Sequence, residues 1–428
     1  MLFLTSLPFD GFYSHVILMS LGVHTIIQYR KEYARPIFTL RNLALISVFL
    51  VTAASTIYTI NQPEAFTELG RRSIILIMPL FFCFTTLDLK KYRDNLLLAF
   101  ALLCTATVFF LFAHALYTIR FYHLPVAELF TQHFTNQNFS EPVQMHATFF
   151  SMQLAIALVS LLVVLIKETR LKYQLLYTFC IGMLATGLFQ LGAKSVIACV
   201  FMLVLVAVPH YLLPKVQRLR FRLAMTAMAL LPVLVVLRSD TLRERYITAL
   251  RGDLSHIQNN EGAEPRLVRW EAATALMGKK PVIGYGAGSE IGLLQDIFYN
   301  KKIYYAYLNK LNIHSEYLSF IIKSGMTGLL VYLLTLGFGF KQAIKNKDLL
   351  LLTFMAIIAC VSLSENLLDV DKGIIFYAFF FSFFLFSADE NKSIPKDDLL
   401  TFVATNDGFE SSLVYKALSP ENYRENVY

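Results

Sequence analysis

Charge is scarce in this sequence. Only 16% of its 428 residues are Asp, Glu, Lys or Arg, against about a quarter in a soluble domain. Tryptophan occurs once, and cysteine five times. Cys83, Cys104, Cys180, Cys199 and Cys360 sit at scattered spacings inside apolar runs. That pattern excludes both a paired-cysteine metal site and a disulfide framework. No repeat of fixed period and no low-complexity tract is present. Strict apolar–polar alternation is absent as well, which argues against an outer-membrane barrel. What fills the chain is hydrophobic residue, 56% of the total, with 37 Phe. A soluble enzyme with one core, a single-pass protein and a disordered chain are all excluded.

The apolar residues gather in eleven runs, near residues 10–28, 42–60, 73–87, 96–119, 146–166, 174–191, 195–213, 222–238, 315–339, 349–365 and 373–388. A bilayer-spanning helix takes about 20 apolar residues, so the expected fold is an all-α polytopic membrane protein with about eleven (10–12) transmembrane helices. Basic residues follow every odd-numbered run. They are Arg30, Lys31, Arg35 and Arg41; Lys90, Lys91 and Arg93; Lys167, Arg170 and Lys172; Lys215, Arg218, Arg220 and Arg222; and Lys341, Lys345 and Lys347. The intervening short connections are poor in them. Cytoplasmic loops carry the excess base, so the N-terminus is expected outside and the C-terminus inside. No cleavable signal peptide is evident. Four segments result: helices one to eight over 1–238, a large external loop with short helices over 239–312, helices nine to eleven over 313–388, and a polar cytoplasmic tail over 389–428. The tail carries eight acids against four bases, so within the formal charge of +8 it is −4 and the rest of the chain is +12. In a membrane protein this charge reads as loop topology, not nucleic-acid binding.

The polar residues at the expected external ends are unusual. Arg71 and Arg72 lie at the third run, Lys194 between the sixth and seventh, Arg266 and Arg269 in the large loop, and His314 at the start of the ninth. Guanidinium groups bind phosphate oxygens bidentately, and Lys adds a point charge. A neutral His accepts a proton near neutral pH. Together they describe a site for a phosphate leaving group and a hydroxyl nucleophile, with His314 as the catalytic candidate and Arg266, Lys194, Arg269 and Arg72 as phosphate-binding candidates; the alternative roles are a helix cap for His314 and an interfacial anchor for Arg72. Lys323, Glu316 and Tyr285 are further candidates, although Lys323 is expected to pair with Glu365. Gly284–Ser289 reads as a turn over the site, since it lacks the strand–helix context of a nucleotide fingerprint. Trp270 reads as a loop anchor, His146 as structural, and Asp369 and Asp371 as ion-pair or cap residues. No metal site is expected: His314 and Glu316 do not form the zinc-helix motif, and the loop holds no ligand-spaced carboxylates.

The run Asn312-Ile-His-Ser-Glu-Tyr-Leu318, followed by Lys323-Ser-Gly-Met-Thr-Gly-Leu-Leu330, resembles the N-x-H-N-x-Y-L…G-x-x-G-L signature of the O-antigen ligase/polymerase family. Glu264-Pro-Arg-Leu-Val-Arg-Trp270, Lys280-Pro-Val-Ile-Gly-Tyr-Gly-Ala-Gly288, Leu242-Arg-Glu-Arg-Tyr246 and Ser364-Glu-Asn-Leu367 are similar to further elements of that family, in the same order. The resemblance covers residues 180–388, and the N-terminal third only by hydropathy. It implies a GT-C-like glycosyltransferase of the bacterial inner membrane, working on the periplasmic face without cofactor or metal. Its donor would be an undecaprenyl-diphosphate-linked glycan and its acceptor a sugar hydroxyl of lipid A-core. A polymerase or a protein O-oligosaccharyltransferase would use the same chemistry. By position, Arg266 is the family's loop arginine and His314 its histidine. Lys194 replaces a second family arginine, keeping charge but losing the bidentate fork, and Ser315 replaces the usual Asn. A transporter of lipid-linked glycan would instead show internal repeats and paired broken helices.

Overall fold

Every one of the eleven apolar runs falls on a helix in the computed structural model, which describes residues 2–9, 11–29, 35–85, 87–253 and 266–388. The tail, the bases Arg30 and Lys31, and Glu264 and Pro265 lie outside the described residues. The helices are α1 (Gly11–Ile27), α2 (Leu40–Ile57), α3 (Gln62–Phe84), α4 (Leu89–Phe121), α5 (Ala147–Lys167), α6 (Leu171–Leu191), α7 (Lys194–Leu212) and α8 (Lys215–Arg238). After the large loop come α11 (Glu316–Lys345), α12 (Leu349–Val361) and α13 (Asp371–Ser387), while the loop itself carries α9 (Arg266–Met277) and α10 (Glu290–Asn300). Shorter helical turns occupy 240–253 and 304–308. No strand occurs among the described residues. The protein is an all-helical polytopic membrane protein. Among the described residues seven helices (α2, α4 to α8 and α11) are long and apolar enough to cross a bilayer.

Helix is the state this composition requires, because an apolar segment in lipid must satisfy its backbone internally. Local signals set the ends. Asp88 caps α4 by accepting from Lys91 N, and Asp348 caps α12 by accepting from Leu350 N and Leu351 N. Gly192, at φ 65°, ends α6 in the left-handed conformation that glycine adopts without a side-chain clash. Helices α3 and α4 both begin well before the runs near 73–87 and 96–119, since polar ends also continue a helix.

The packing is uneven. Residues 372–387 of α13 are all buried. Phe354 of α12 packs among Phe376, Phe380, Phe381 and Phe384 at ring separations of 5.8–6.4 Å. At the other extreme α8 buries none of its apolar window, as suits a helix facing lipid. Helix α11 is broken at Gly325, φ 66° and ψ −167°. Residues 281–286 enter this break. Tyr285 N donates to Ile322 O at 2.9 Å, Gly286 N to Lys323 O at 2.8 Å, and Met326 N to Pro281 O at 2.8 Å. On its other side the same segment meets the end of α2, where Ile60 N donates to Tyr285 O at 3.2 Å and Ala287 N to Ser55 O at 3.3 Å.

Candidate active site

His314 sits just before α11 at φ 49°, a left-handed conformation that is uncommon outside glycine but enriched for His, Asn and Asp. Asn312 stabilises it, its Oδ1 accepting from His314 N at 3.1 Å. The flanking backbone is tied down as well. Arg269 donates to Asn312 O at 3.1 Å, Trp270 Nε1 to Ile313 O at 3.0 Å, and Ser315 N to Asn366 Oδ1 at 2.9 Å. The imidazole therefore points at the connection between α12 and α13, where Nδ1 lies 3.0 Å from Glu365 Oε2. Arg266, the first residue of α9, approaches the other oxygen of Glu365 at 3.6 Å. Burial favours the neutral form of Glu365, but the hydrogen bond with His314 and the charges of His314, Arg266 and His146 outweigh it, so its pKa falls below the usual carboxylate value.

Glu365 and Arg266 line a cavity of about 970 Å³. Its walls come from four connections, α4–α5, α6–α7, α8–α9 and α12–α13, all of them predicted external from the charge pattern. Lys194, the first residue of α7, lines it. Ser364 Oγ, 3.1 Å from Ser195 Oγ, fastens the Glu365 segment beside that helix start. Arg245 lines it too. Its Nη2 donates to the carbonyls of Phe189 and Gln190 and, at 3.2 Å, to Asn136 Oδ1. Its Nε and Nη1 are buried without an acceptor. No carboxylate pairs with Arg245 among the described residues, and burial lowers its pKa. Gly192 makes room for it, since a Cβ there would lie 2.4 Å from Asn136 Oδ1 and 2.7 Å from Arg245 Nη2. The arrangement offers several cations beside an imidazole whose Nδ1 is held by a carboxylate.

Residues 147–333 match the family model described as O-antigen ligase. This stretch is an O-antigen ligase domain. The chain is a multi-pass membrane protein, and this domain supports an enzyme function of the O-antigen ligase/polymerase type. No curated protein matches the chain.

The domain holds Lys194, Arg245, Arg266 and His314, while Glu365 comes from beyond it. Several residues expected at the diphosphate stand elsewhere. Arg72 is buried against Glu68 at 3.0 Å, Asp369 at 2.8 Å and Glu316 at 3.5 Å, and donates to Leu368 O at 3.0 Å. Arg269 braces the backbone ahead of His314 and does not line the cavity. Lys323 pairs not with Glu365 but with Asp369 at 2.7 Å, Glu68 at 3.3 Å and Glu290 at 3.6 Å. Glu316 is fully buried and accepts from Leu368 N at 2.8 Å. Tyr285 is buried with its hydroxyl on Leu276 O at 3.1 Å. The Gly284–Ser289 turn lies on the break in α11 and the end of α2, and only Trp270 of the loop's bland candidates reaches the cavity.

Three cavity residues, Glu365, His146 and Arg245, are not among the site candidates the sequence offers. Glu365 enters the sequence analysis as a partner for Lys323 and within the Ser364–Leu367 family element, and nothing in local spacing says which base a carboxylate will face. His146 lines the cavity although it read as structural. Its position at the external end of a run, like that of His314, was the available signal.

Proposed function

We propose that the protein transfers a glycan from undecaprenyl diphosphate to a sugar hydroxyl of lipid A-core on the periplasmic face of the inner membrane. The observation that carries this reading is the His314–Glu365 pair beside a cavity lined by Lys194, Arg245 and Arg266. With Nδ1–H donated to Glu365, the imidazole keeps its Nε2 lone pair for the acceptor hydroxyl. The hydroxyl oxygen attacks the anomeric carbon, its proton passes to His314, and the C1–O bond to diphosphate breaks. Attack from the opposite face inverts the anomeric centre. Negative charge grows on the departing diphosphate, where preorganised cations stabilise it. Arg266 and Lys194 take that role, and the Arg245 guanidinium supplies the planar donor set that a lysine lacks. Glu365 fixes the ring and stabilises the imidazolium as it forms.

The glycolipid profile of a deletion strain tests this. Loss of all long glycan on lipid A-core, with the lipid-linked polymer retained, is expected. A product of one repeat unit would assign a polymerase instead, and an unchanged profile would exclude both.

A further inference from the structure

Among the described residues the cavity is divided in chemistry. Lys194, Arg245 and Arg266 come from the α6–α7 and α8–α9 connections. The α4–α5 connection supplies Gln132, Thr135, Asn136, Gln137, Asn138 and His146, none of them carrying a fixed charge. His146 occupies the N-cap position of α5, yet its side chain makes no cap hydrogen bond. That position ordinarily selects Ser, Thr, Asp or Asn because their oxygens satisfy a free helix N–H. A histidine that caps nothing gives up that stabilisation.

The backbone on both sides of His146 is nonetheless fixed. The Gln137 amide accepts from Ala147 N at 3.0 Å and donates to Met145 O at 3.2 Å, bridging the two peptides that flank it. The ring packs near Phe149, 5.2 Å between centroids. It is open to the cavity, lies within the fields of Glu365 and His314, and has no hydrogen-bonding side chain among the described residues. The Thr135 hydroxyl on the same wall is buried and also unpartnered.

We propose that this wall is a subsite for the hydroxyl groups of the acceptor sugar, with His146 in direct contact with the sugar ring bearing the attacking hydroxyl. The assignment rests on the transferase reading above and adds where the acceptor sits. Carboxamides, a threonine and an imidazole offer donors and acceptors without net charge, which suits neutral polyols. The basic residues beside it, where Arg245 also donates to Asn136 Oδ1 at 3.2 Å, suit diphosphate. Partial desolvation by the surrounding walls lowers the pKa of this cavity-exposed His146, and a neutral ring both donates and accepts. It also leaves His314, held on Glu365 beside the cavity, as the imidazole that takes up the acceptor's proton, since a second cation near it would oppose that step.

The chain contains one tryptophan, Trp270, and it lines this cavity, so its emission reports both ligands. Detergent-purified full-length protein is titrated with dephosphorylated core oligosaccharide and, separately, with inorganic pyrophosphate. His146→Ala is expected to weaken the oligosaccharide response by about 10-fold, the scale of one lost hydrogen bond with its partner left unpaired, and to leave pyrophosphate within about 2-fold. In turnover assays the acceptor KM rises by a similar factor while kcat holds. His146→Gln recovers part of the loss. His146→Asn, a better N-cap, separates folding from binding: it melts at least as high as wild type and still binds the oligosaccharide more weakly than wild type. Wild-type oligosaccharide affinity in folded His146→Ala would overturn the subsite while leaving the transferase intact. An absence of transfer by wild type that still responds to pyrophosphate would sink the transferase reading instead.

Discussion

Two clusters of charge stand close together in this protein and are built on opposite rules. Beneath the cavity, Arg72 and Lys323 are enclosed by Glu68, Glu290, Glu316 and Asp369, so each cation has at least two carboxylates within 3.6 Å. At the cavity Arg245 has none among the described residues, and Arg266 and His314 share Glu365. The first cluster is closed and joins α3, α10, α11 and the α12–α13 connection into one piece. The second leaves positive charge unspent where a ligand can reach it. The same residue types thus serve as a lock in one place and a receptor in the other, and the carboxylate count separates the two.

Breaking the lock should produce the largest effect. Removing one partner of a buried ion pair costs about 3–5 kcal/mol, so Lys323→Ala is expected to lower the melting temperature sharply and to deplete the protein from the membrane. A variant that melts like wild type would show that the network is dispensable. Next comes the open cluster, where stability should hold and activity should not. His314→Asn is expected to lose at least about 100-fold in turnover, the low end for a general base, with pyrophosphate binding kept. If His314 merely started the helix, Asn would serve nearly as well, so near-normal turnover would end its assignment as base. EDTA should leave the wild-type rate unchanged in the same assay, because the departing charge is assigned to side chains.

Lys194 sharpens the comparison further. Losing one charge-assisted phosphate contact costs roughly 1.5–3 kcal/mol, so Lys194→Ala should fall by about 10- to 150-fold in kcat/KM, and Lys194→Arg should stay active. Full activity of the alanine variant would remove this residue from the site. The smallest effect concerns His146. Its pKa is lowered in the folded state from an ordinary 6.5, so the folded protein binds fewer protons than the unfolded chain. Stability should then be full above about pH 6.5 and decline as the pH falls below that value, levelling off under the folded pKa. His146→Asn should flatten that decline in a series of pH-dependent melts. An unaltered slope would place the acid sensitivity in another group.

Much of this was legible beforehand. Each of the eleven apolar runs falls on a helix, and seven described helices are long and apolar enough to cross a bilayer, because helix in lipid is dictated by composition and length. His314, Arg266 and Lys194 announced themselves as charge where charge is costly; Arg266 and Lys194 line the cavity, and His314 meets it through Glu365. Arg72 announced itself in the same way, yet it belongs to the lock. The difference rests on which carboxylate each base faces. Those pairings span hundreds of residues, as with Lys323 and Glu68 (separation 255), and hydropathy carries no record of them. Gly284, Gly286 and Gly288 were readable as a turn, but not as one seated in a broken helix. A positive φ at Gly325 leaves no mark in a helical sequence other than the glycine itself.

That break also orders the assembly of the molecule. Residues 281–286 hold two surfaces at once, the end of α2 and the two halves of α11. A ribosome delivers α2 more than two hundred residues before this segment and α11 only after it. The large loop therefore emerges with half of its seat already built and half still unsynthesised. Until α11 enters the bilayer, the loop's backbone donors at Tyr285 and Gly286 have no carbonyl to receive them. His314, carried just ahead of that same helix, is thus brought into place by its entry, and Glu365, made later still, completes the pair.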